Sequence, residues 1–176
     1  MAELPSAKIQ VTSALNVGAI FEFKLKFISV EENSIIHTQQ QCKKKSLQNA
    51  SILVAEDNLV NQILIKKFLK KWHVGNLVIA SDGQEAIDEF EHGEFDIILL
   101  DIQMPVLDGF AVAKWIRENK DVKKRGIPIL VLSAASHHEI KNEMEENGID
   151  DFVEKPFTSE CLYSKLSQYL NSKDLS

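Results

Sequence analysis

Hydrophobic residues after residue 50 occur in short continuous runs, separated by segments with helical spacing. Such runs indicate β-strands that are buried on both faces, as in a parallel sheet covered by helices on both sides. The predicted strands cover residues 52–55, 77–80, 97–100, 127–132 and 152–153, and the predicted helices cover residues 59–71, 84–91, 110–118, 139–147 and 159–170. Five alternating strands and helices predict a doubly wound α/β domain with a parallel sheet of order 2-1-3-4-5.

The N-terminal segment has a different pattern, in which hydrophobic and charged residues alternate. The alternating hydrophobic residues are Phe21, Phe23, Leu25 and Phe27. This period of two predicts a half-buried strand, and a turn near Gly18 joins it to an earlier strand, which makes the segment a β-hairpin. Two strands alone are marginally stable in water. We therefore expect the apolar face to pack on the rest of the chain or on a neighbouring chain, or the hairpin to be disordered.

Composition and charge exclude several classes of protein. The chain has 176 residues, of which 44% are hydrophobic and 26% are charged, which is typical of a globular protein. Residues 1–48 carry six basic and four acidic residues, whereas the rest carries 14 and 22, so the main body has a net charge of −8. This acidic body argues against a nucleic-acid partner. No apolar run is long enough to span a membrane, and no secretory signal is expected.

Polar side chains follow the predicted strands at the edge where those strands end. Glu56 and Asp57 follow the first strand, Asp101 the third, Ser133 the fourth and Lys155 the fifth. Ligands of open parallel sheets bind at this edge, so we expect one pocket. Three carboxylates in one pocket repel one another unless a cation binds between them. Carboxylate oxygens are ligands that Mg²⁺ prefers, so we expect this ion in the pocket. Each residue alone could be a helix cap or a surface residue, but the five together favour a site for a phosphoryl group.

Residues 51–172 resemble the receiver (response-regulator) domain of two-component signalling. The matching stretches are residues 52–58 (ILVAEDN), 101–109 (DIQMPVLDG), 129–134 (ILVLSA) and 152–157 (FVEKPF). The resemblance implies a flavodoxin-like receiver fold over residues 50–172. It also implies Mg²⁺-dependent transfer of a phosphoryl group from a phosphohistidine, which switches the conformation of the domain in a phosphorelay or in regulation of a parent kinase.

The resemblance further implies which residues bind the phosphoryl group and the metal ion. Asp101 is expected to accept the phosphoryl group through its carboxylate. Asp57, Asp101 and the backbone carbonyl of Gln103 are expected to bind Mg²⁺ directly, and Glu56 is expected to reach it through water.

Four further residues are implied to change partners or to set the geometry of the pocket. Lys155 is expected to pair with the carboxylate at rest and with phosphoryl oxygens afterwards. Ser133 is expected to turn towards the phosphoryl group. Phe152 occupies the position of the aromatic switch, where Tyr is common in this family, so no phenolic hydroxyl takes part. The Lys155–Pro156 peptide bond is expected to be cis.

Residues 1–28 resemble, over a shorter stretch, the last hairpin of a histidine-kinase ATP-binding domain. Hybrid sensor kinases place a receiver after that domain, and the polar residues 29–49 are predicted to be a linker. The chain lacks the nucleotide-binding motifs and a phosphorylated-histidine helix, so it is not expected to act as a stand-alone enzyme. The implied phosphohistidine donor is the kinase core of the parent protein or a histidine phosphotransfer domain, and the oligomeric state stays open.

The cysteines and the residue two places after Asp101 bear on location and on competing functions. The cysteines, Cys42 and Cys161, lie outside any metal-binding spacing and fit a cytoplasmic location, although the parent protein could be membrane-anchored. A Mg²⁺-dependent phosphohydrolase with an aspartyl nucleophile would place a general acid two residues later, where this chain has Gln103. An inert pseudo-receiver would not need the intact set of pocket residues. A DNA-binding regulator is not expected, since only a short stretch follows the last helix.

Overall fold

The computed structural model describes residues 8–14, 18–24 and 47–171, which belong to two separate units. The first unit contains an antiparallel hairpin of β1 (Lys8–Ala14) and β2 (Gly18–Lys24). Its register pairs Val11 with Phe21, and Gly18 begins β2 with a φ of 116°. The hairpin is confirmed, whereas Leu25 and Phe27 lie outside the described residues. The cover of its apolar face and its origin in a kinase stay predictions.

The second unit is an α/β domain with one parallel five-stranded sheet. Its strands are β3 (Ser51–Ala55), β4 (Asn76–Ala80), β5 (Ile97–Asp101), β6 (Ile129–Ser133) and β7 (Asp151–Glu154). They lie in the order β4-β3-β5-β6-β7, which confirms the predicted doubly wound sheet of order 2-1-3-4-5.

Within residues 47–171, six helices connect and cover these strands. They are α1 (Leu59–Lys71), α2 (Gly83–His92), α3 (Gly109–Arg117), α4 (Val122–Arg125), α5 (His137–Glu146) and α6 (Ser159–Asn171). The five longer helices agree with the predicted ones to within a few residues. The short α4 was not predicted, because a single turn has no measurable hydrophobic period. Within the described residues, no helix combines the length and hydrophobicity needed to cross a bilayer.

Two hydrophobic layers, one on each face of the sheet, explain the continuous apolar runs. Leu53 and Ile98 contribute to the layer under α2, α3 and α5, whereas Ile52 and Leu99 contribute to the layer under α1 and α6. All four side chains are fully buried. Because successive residues of a strand point to opposite faces, the buried stretches of the central strands β3, β5 and β6 carry apolar side chains on both faces.

The folded domain extends further towards the N-terminus than the polar pattern indicates. Leu47, inside the predicted linker 29–49, is only 3% exposed and packs in the layer under α1 and α6. Its carbonyl accepts a hydrogen bond from the Ala50 backbone N–H (3.1 Å), and the Ala50 carbonyl accepts from Gly75 and Asn76. Residues 47–50 therefore belong to the domain, and linker residues 29–46 lie outside the described residues.

Candidate functional site

The predicted pocket residues meet at the carboxyl edge of the sheet. Glu56, Asp57 and Asp101 each offer a carboxylate oxygen, and these oxygens lie within 4.8 Å of one another. Ser133 and Lys155 line the same cavity, which has a volume of about 540 Å³. Neighbouring strand ends thus bring together the residues that the sequence suggested for one site.

The turn between β3 and α1 places the first two carboxylates. The backbone N–H of Glu56 donates to the Ala80 carbonyl (3.1 Å), which continues the pairing of β3 with β4. Asn58 then caps α1, because its side chain accepts hydrogen bonds from the backbone N–H groups of Val60 and Asn61. Glu56 is completely buried and Asp57 is exposed, so adjacent carboxylates face very different surroundings.

Asp101 is the last residue of the central strand β5, and the helix α3 begins so close to this strand end that its first residue, Gly109, must be a glycine. A Cβ atom on Gly109 would collide with the Asp101 carbonyl oxygen, so only glycine allows α3 to begin against the end of β5. The Asp101 side chain is also fixed locally, since its Oδ1 accepts a hydrogen bond from the Gln103 backbone N–H at 3.2 Å. Whether the Gln103 carbonyl binds a metal ion stays a prediction.

Lys155 is the cationic centre of the pocket. Its Nζ lies 2.8 Å from Oε2 of Glu56 and 2.8 Å from Oδ2 of Asp101. Its backbone N–H donates to the Ser133 carbonyl (2.6 Å), and its peptide bond with Pro156 is cis. One ammonium therefore forms ion pairs with two carboxylates at the ends of different strands.

The charges of the pocket are not balanced by this lysine. Burial raises the pKa of Asp101 above its ordinary value, and the negative charge of Glu56 adds to this, so the bond to Lys155 only partly offsets the shift. Burial alone would lower the pKa of Lys155, but hydrogen bonds to Asp101 and Glu56 outweigh it and raise that pKa. Three carboxylates around one ammonium leave net negative charge, and an all-oxygen donor set of this kind fits Mg²⁺.

The two predicted switch residues have partners outside the carboxylate cluster. The hydroxyl of Ser133 donates to the Ala135 carbonyl (3.1 Å) and accepts from the Ala135 backbone N–H (2.9 Å). Phe152 is half-buried and packs against the core layer under α2, α3 and α5. The Lys165 Nζ lies 5.6 Å from the centre of its ring. The predicted turn of Ser133 towards a phosphoryl group would break the bond that its hydroxyl donates to the Ala135 carbonyl, and that turn stays a prediction.

Two further residues of the site, Asn61 and Gln62, were missed from the sequence. The Asn61 amide donates to Oε1 of Glu56 at 2.8 Å, and the Gln62 amide donates to the Glu56 backbone carbonyl at 2.7 Å. Their positions in the first turn of α1 were the available signal, because that turn directly follows Glu56 and lies beside the strand end.

Comparison with known protein families gives a clear match. The family model described as "Response regulator receiver domain" matches residues 52–167, which is well over half of the chain. The hybrid signal transduction histidine kinase I of Dictyostelium discoideum is 38% identical over 121 residues, covering 66% of this chain but 7% of that protein. The chain therefore spans a small part of the length of this relative.

Solved structures show the same similarity. The receiver domain of the sensor histidine kinase PA1611 of Pseudomonas aeruginosa, with a magnesium ion coordinated in its active site cleft, is 30% identical, with a TM-score of 0.64. The alignment covers 70% of this chain and 98% of that one. The Saccharomyces cerevisiae receiver domain of Ssk1, crystallised with the histidine phosphotransfer protein Ypd1, is 28% identical, with a TM-score of 0.66. That alignment covers 73% of this chain and 94% of the other.

Proposed function

The chain belongs to the response regulator receiver domain family, and on this basis we propose that Asp101 accepts a phosphoryl group from a phosphohistidine. The observation that carries the proposal is the position of its carboxylate, 2.8 Å from the Lys155 ammonium and within 4.8 Å of carboxylate oxygens of Glu56 and Asp57. No other described cluster of acidic residues combines strand-end placement, burial and a lysine in this way.

In the proposed reaction, a carboxylate oxygen of Asp101 forms a bond to phosphorus while the bond between phosphorus and the donor imidazole nitrogen breaks. The electron pair of that bond stays on the nitrogen. Lys155 moves from the carboxylates to a phosphoryl oxygen and offsets its charge. The residues that would hold Mg²⁺ are Asp57, Asp101, the Gln103 carbonyl and, through water, Glu56. The ion, when bound, would offset the negative charges of the carboxylates and of the phosphoryl oxygens.

The proposed output is a change in the loop between β6 and α5. A phosphoryl group adds roughly 1.5–2 negative charges at neutral pH. The Ser133 hydroxyl would turn from the Ala135 carbonyl to a phosphoryl oxygen, which releases the loop that leads to α5. Phe152, on the neighbouring strand β7, would then change its packing, and the rearranged face would report phosphorylation to a partner or to the parent kinase.

We propose that the donor is a protein that docks on α1. Leu59, Val60 and Ile63 are 70%, 73% and 64% exposed, although they are hydrophobic. Asn58 and Asn61, in the same turn, line the cavity of Asp101, so this apolar surface begins at the mouth of the pocket. Exposed apolar surface of this kind marks protein interfaces. The proposed donor that docks on this surface is a histidine phosphotransfer protein, like the Ypd1 that was crystallised with the Ssk1 receiver domain, or a kinase core.

The wider protein is proposed to be a hybrid sensor histidine kinase. Its order would be a remnant of the ATP-binding domain at residues 1–28, a linker that begins at residue 29 and ends before Leu47, and a receiver that extends to residue 172, on the cytoplasmic side. The supporting observation is the similarity to the hybrid kinase of Dictyostelium discoideum, in which the matching region is a small part of the whole length.

The test is phosphorylation by a small donor. The protein is incubated with Mg²⁺ and acetyl phosphate, and the intact mass is measured beside that of Asp101→Asn. We expect one acid-stable, base-labile phosphoryl group on the wild type alone. A purified phosphohistidine protein serves as a second donor. No adduct from either donor, or an equal adduct on the variant, would contradict the proposal.

A further inference from the structure

Glu56 is an unusual residue for the interior of a protein, and the first turn of α1 explains how it is held. Its side chain is completely buried, and both of its oxygens accept hydrogen bonds. Building on the proposed function, we infer that Asn61 is a positioning residue for the magnesium site, which acts by holding the Glu56 carboxylate in place.

The two oxygens of Glu56 have different partners. Oε2 accepts from the Lys155 ammonium at 2.8 Å, and that ammonium is shared with Asp101. Oε1 faces α1 and accepts from the Asn61 amide at 2.8 Å and, more weakly, from the Asn58 backbone N–H at 3.3 Å. Asn61 therefore supplies the short bond on the oxygen that Lys155 does not contact.

This division of partners matters when Lys155 moves. If the ammonium leaves for a phosphoryl oxygen, Glu56 loses its charged partner while it stays buried, and a buried carboxylate without donors is strongly unfavourable. The bond to Asn61 remains, because it does not involve Lys155. It keeps the carboxylate oriented throughout the exchange.

The chemistry of an amide suits this position better than that of a charged side chain. An amide N–H satisfies a lone pair of Glu56 without neutralising the negative charge that attracts a cation. A carboxylate at position 61 would repel Glu56, and an ammonium would compete with the metal ion. Asn61 is itself fixed, since its backbone N–H bonds to the capping side chain of Asn58 (3.3 Å), and the neighbouring Gln62 holds the Glu56 carbonyl.

The experiment measures binding of Mg²⁺ alone to the full chain by titration calorimetry. Asn61→Leu keeps the size of the side chain and removes the donor, and we expect about 10–100-fold weaker binding, the usual effect of losing a partner of a metal-binding side chain. Asn142→Leu, the same change on the exposed surface of α5, is the matched control and should bind like the wild type. Should Asn61→Leu fail to fold, Asn61→Ser, which is too short to reach Glu56, takes its place.

A double-mutant cycle separates positioning from a general structural role. In a Glu56→Gln background, removing the Asn61 amide should weaken Mg²⁺ binding by less than about twofold, because its effect acts through the Glu56 charge. Equal losses in both backgrounds, or binding by Asn61→Leu like that of the wild type, would overturn the inference. Absence of Mg²⁺ binding by the wild type, or no loss in Asp57→Asn, would overturn the proposed function instead.

Discussion

The ammonium nitrogen of Lys155 lies 2.8 Å from Oδ2 of Asp101. The same nitrogen is also 2.8 Å from Glu56, so Asp101 shares its counter-ion with a second buried carboxylate. Burial and the charge of Glu56 therefore keep the pKa of Asp101 above its ordinary value despite the ion pair. This shared lysine makes the stability of the domain depend on charge in the pocket.

Replacing Asp101 by Asn should stabilise the domain when divalent cations are removed. A raised pKa means that the folded state binds the proton more tightly than the unfolded state does. The wild type therefore loses stability as pH rises from 3.8, the ordinary pKa, through the raised value, and Asp101→Asn lacks this loss. Thermal unfolding with chelator at pH 7 should show a higher Tm for the variant, by roughly 2–8 °C for each kcal/mol gained.

The pH dependence provides the control for this prediction. At a pH below the ordinary value, the two proteins should differ much less, because Asp101 is then protonated in both states. A variant with an equal or lower Tm at pH 7, or with the same advantage at every pH, would show that the charge of Asp101 is not what costs stability.

Lys155→Met should destabilise the domain in the absence of metal ions. It removes the ammonium that faces Glu56, which is completely buried, and an uncompensated buried charge costs about 3–5 kcal/mol. Urea unfolding in chelator measures this loss. Lys141→Met is the control, because Lys141 forms an exposed ion pair with Glu145 at 3.8 Å, and its loss should cost at most about 1 kcal/mol. Equal losses in the two variants would contradict the prediction.

Ile63→Glu should slow transfer from a phosphohistidine protein but not from acetyl phosphate. The side chain is 64% exposed on α1, and in the proposed complex a charge there would be buried without a partner. A loss of about 1.4 kcal/mol of binding corresponds to tenfold weaker association. Val122→Glu changes an equally exposed valine on α4 and should leave both rates unchanged. If Ile63→Glu slowed both donors alike, α1 would not be the docking surface.

Arg117→Lys should destabilise the fold although it keeps the charge. The Arg117 guanidinium donates to the carbonyls of Arg125 (2.6 Å), Ile127 (2.8 Å) and Gly148 (2.7 Å), and to the Asp150 carboxylate (2.7 Å). An ammonium cannot reach all four acceptors. We expect a loss of about 2–3 kcal/mol in urea unfolding.

The control for this prediction lies on the exposed surface of α4. Arg125→Lys, where the side chain is exposed, should change stability by less than about 0.5 kcal/mol. A loss for Arg117→Lys as small as that of the control would mean that charge alone, and not the shape of the guanidinium, holds these segments together.

Much of the fold could be predicted because its signal is repeated along the chain. Ile52 and Leu53 face opposite layers, so both must be apolar, and the same holds along the other central strands. The positions of Asp101 and Glu56 at the ends of predicted strands were enough to assign both residues to the site, because the ends of parallel strands meet at one edge of the sheet. What the sequence could not reveal depends on single contacts between distant segments. The carbonyls that accept from Arg117 are backbone groups, which leave no signal in the sequence, and the bond from Asn61 to Glu56 depends on the direction of α1.

The packing of Leu47 sets where this domain can be separated from its surroundings. A fragment cut at residue 52, where the family model begins, would keep all the predicted pocket residues but lose Leu47 and Ala50 from one layer of the core. It would also lose the Ala50 carbonyl that accepts from Gly75 and Asn76 at the start of the edge strand. A graft of this receiver into another signalling protein is thus best joined upstream of Leu47, so that it includes the residues that fill this layer of the core and hold the start of β4.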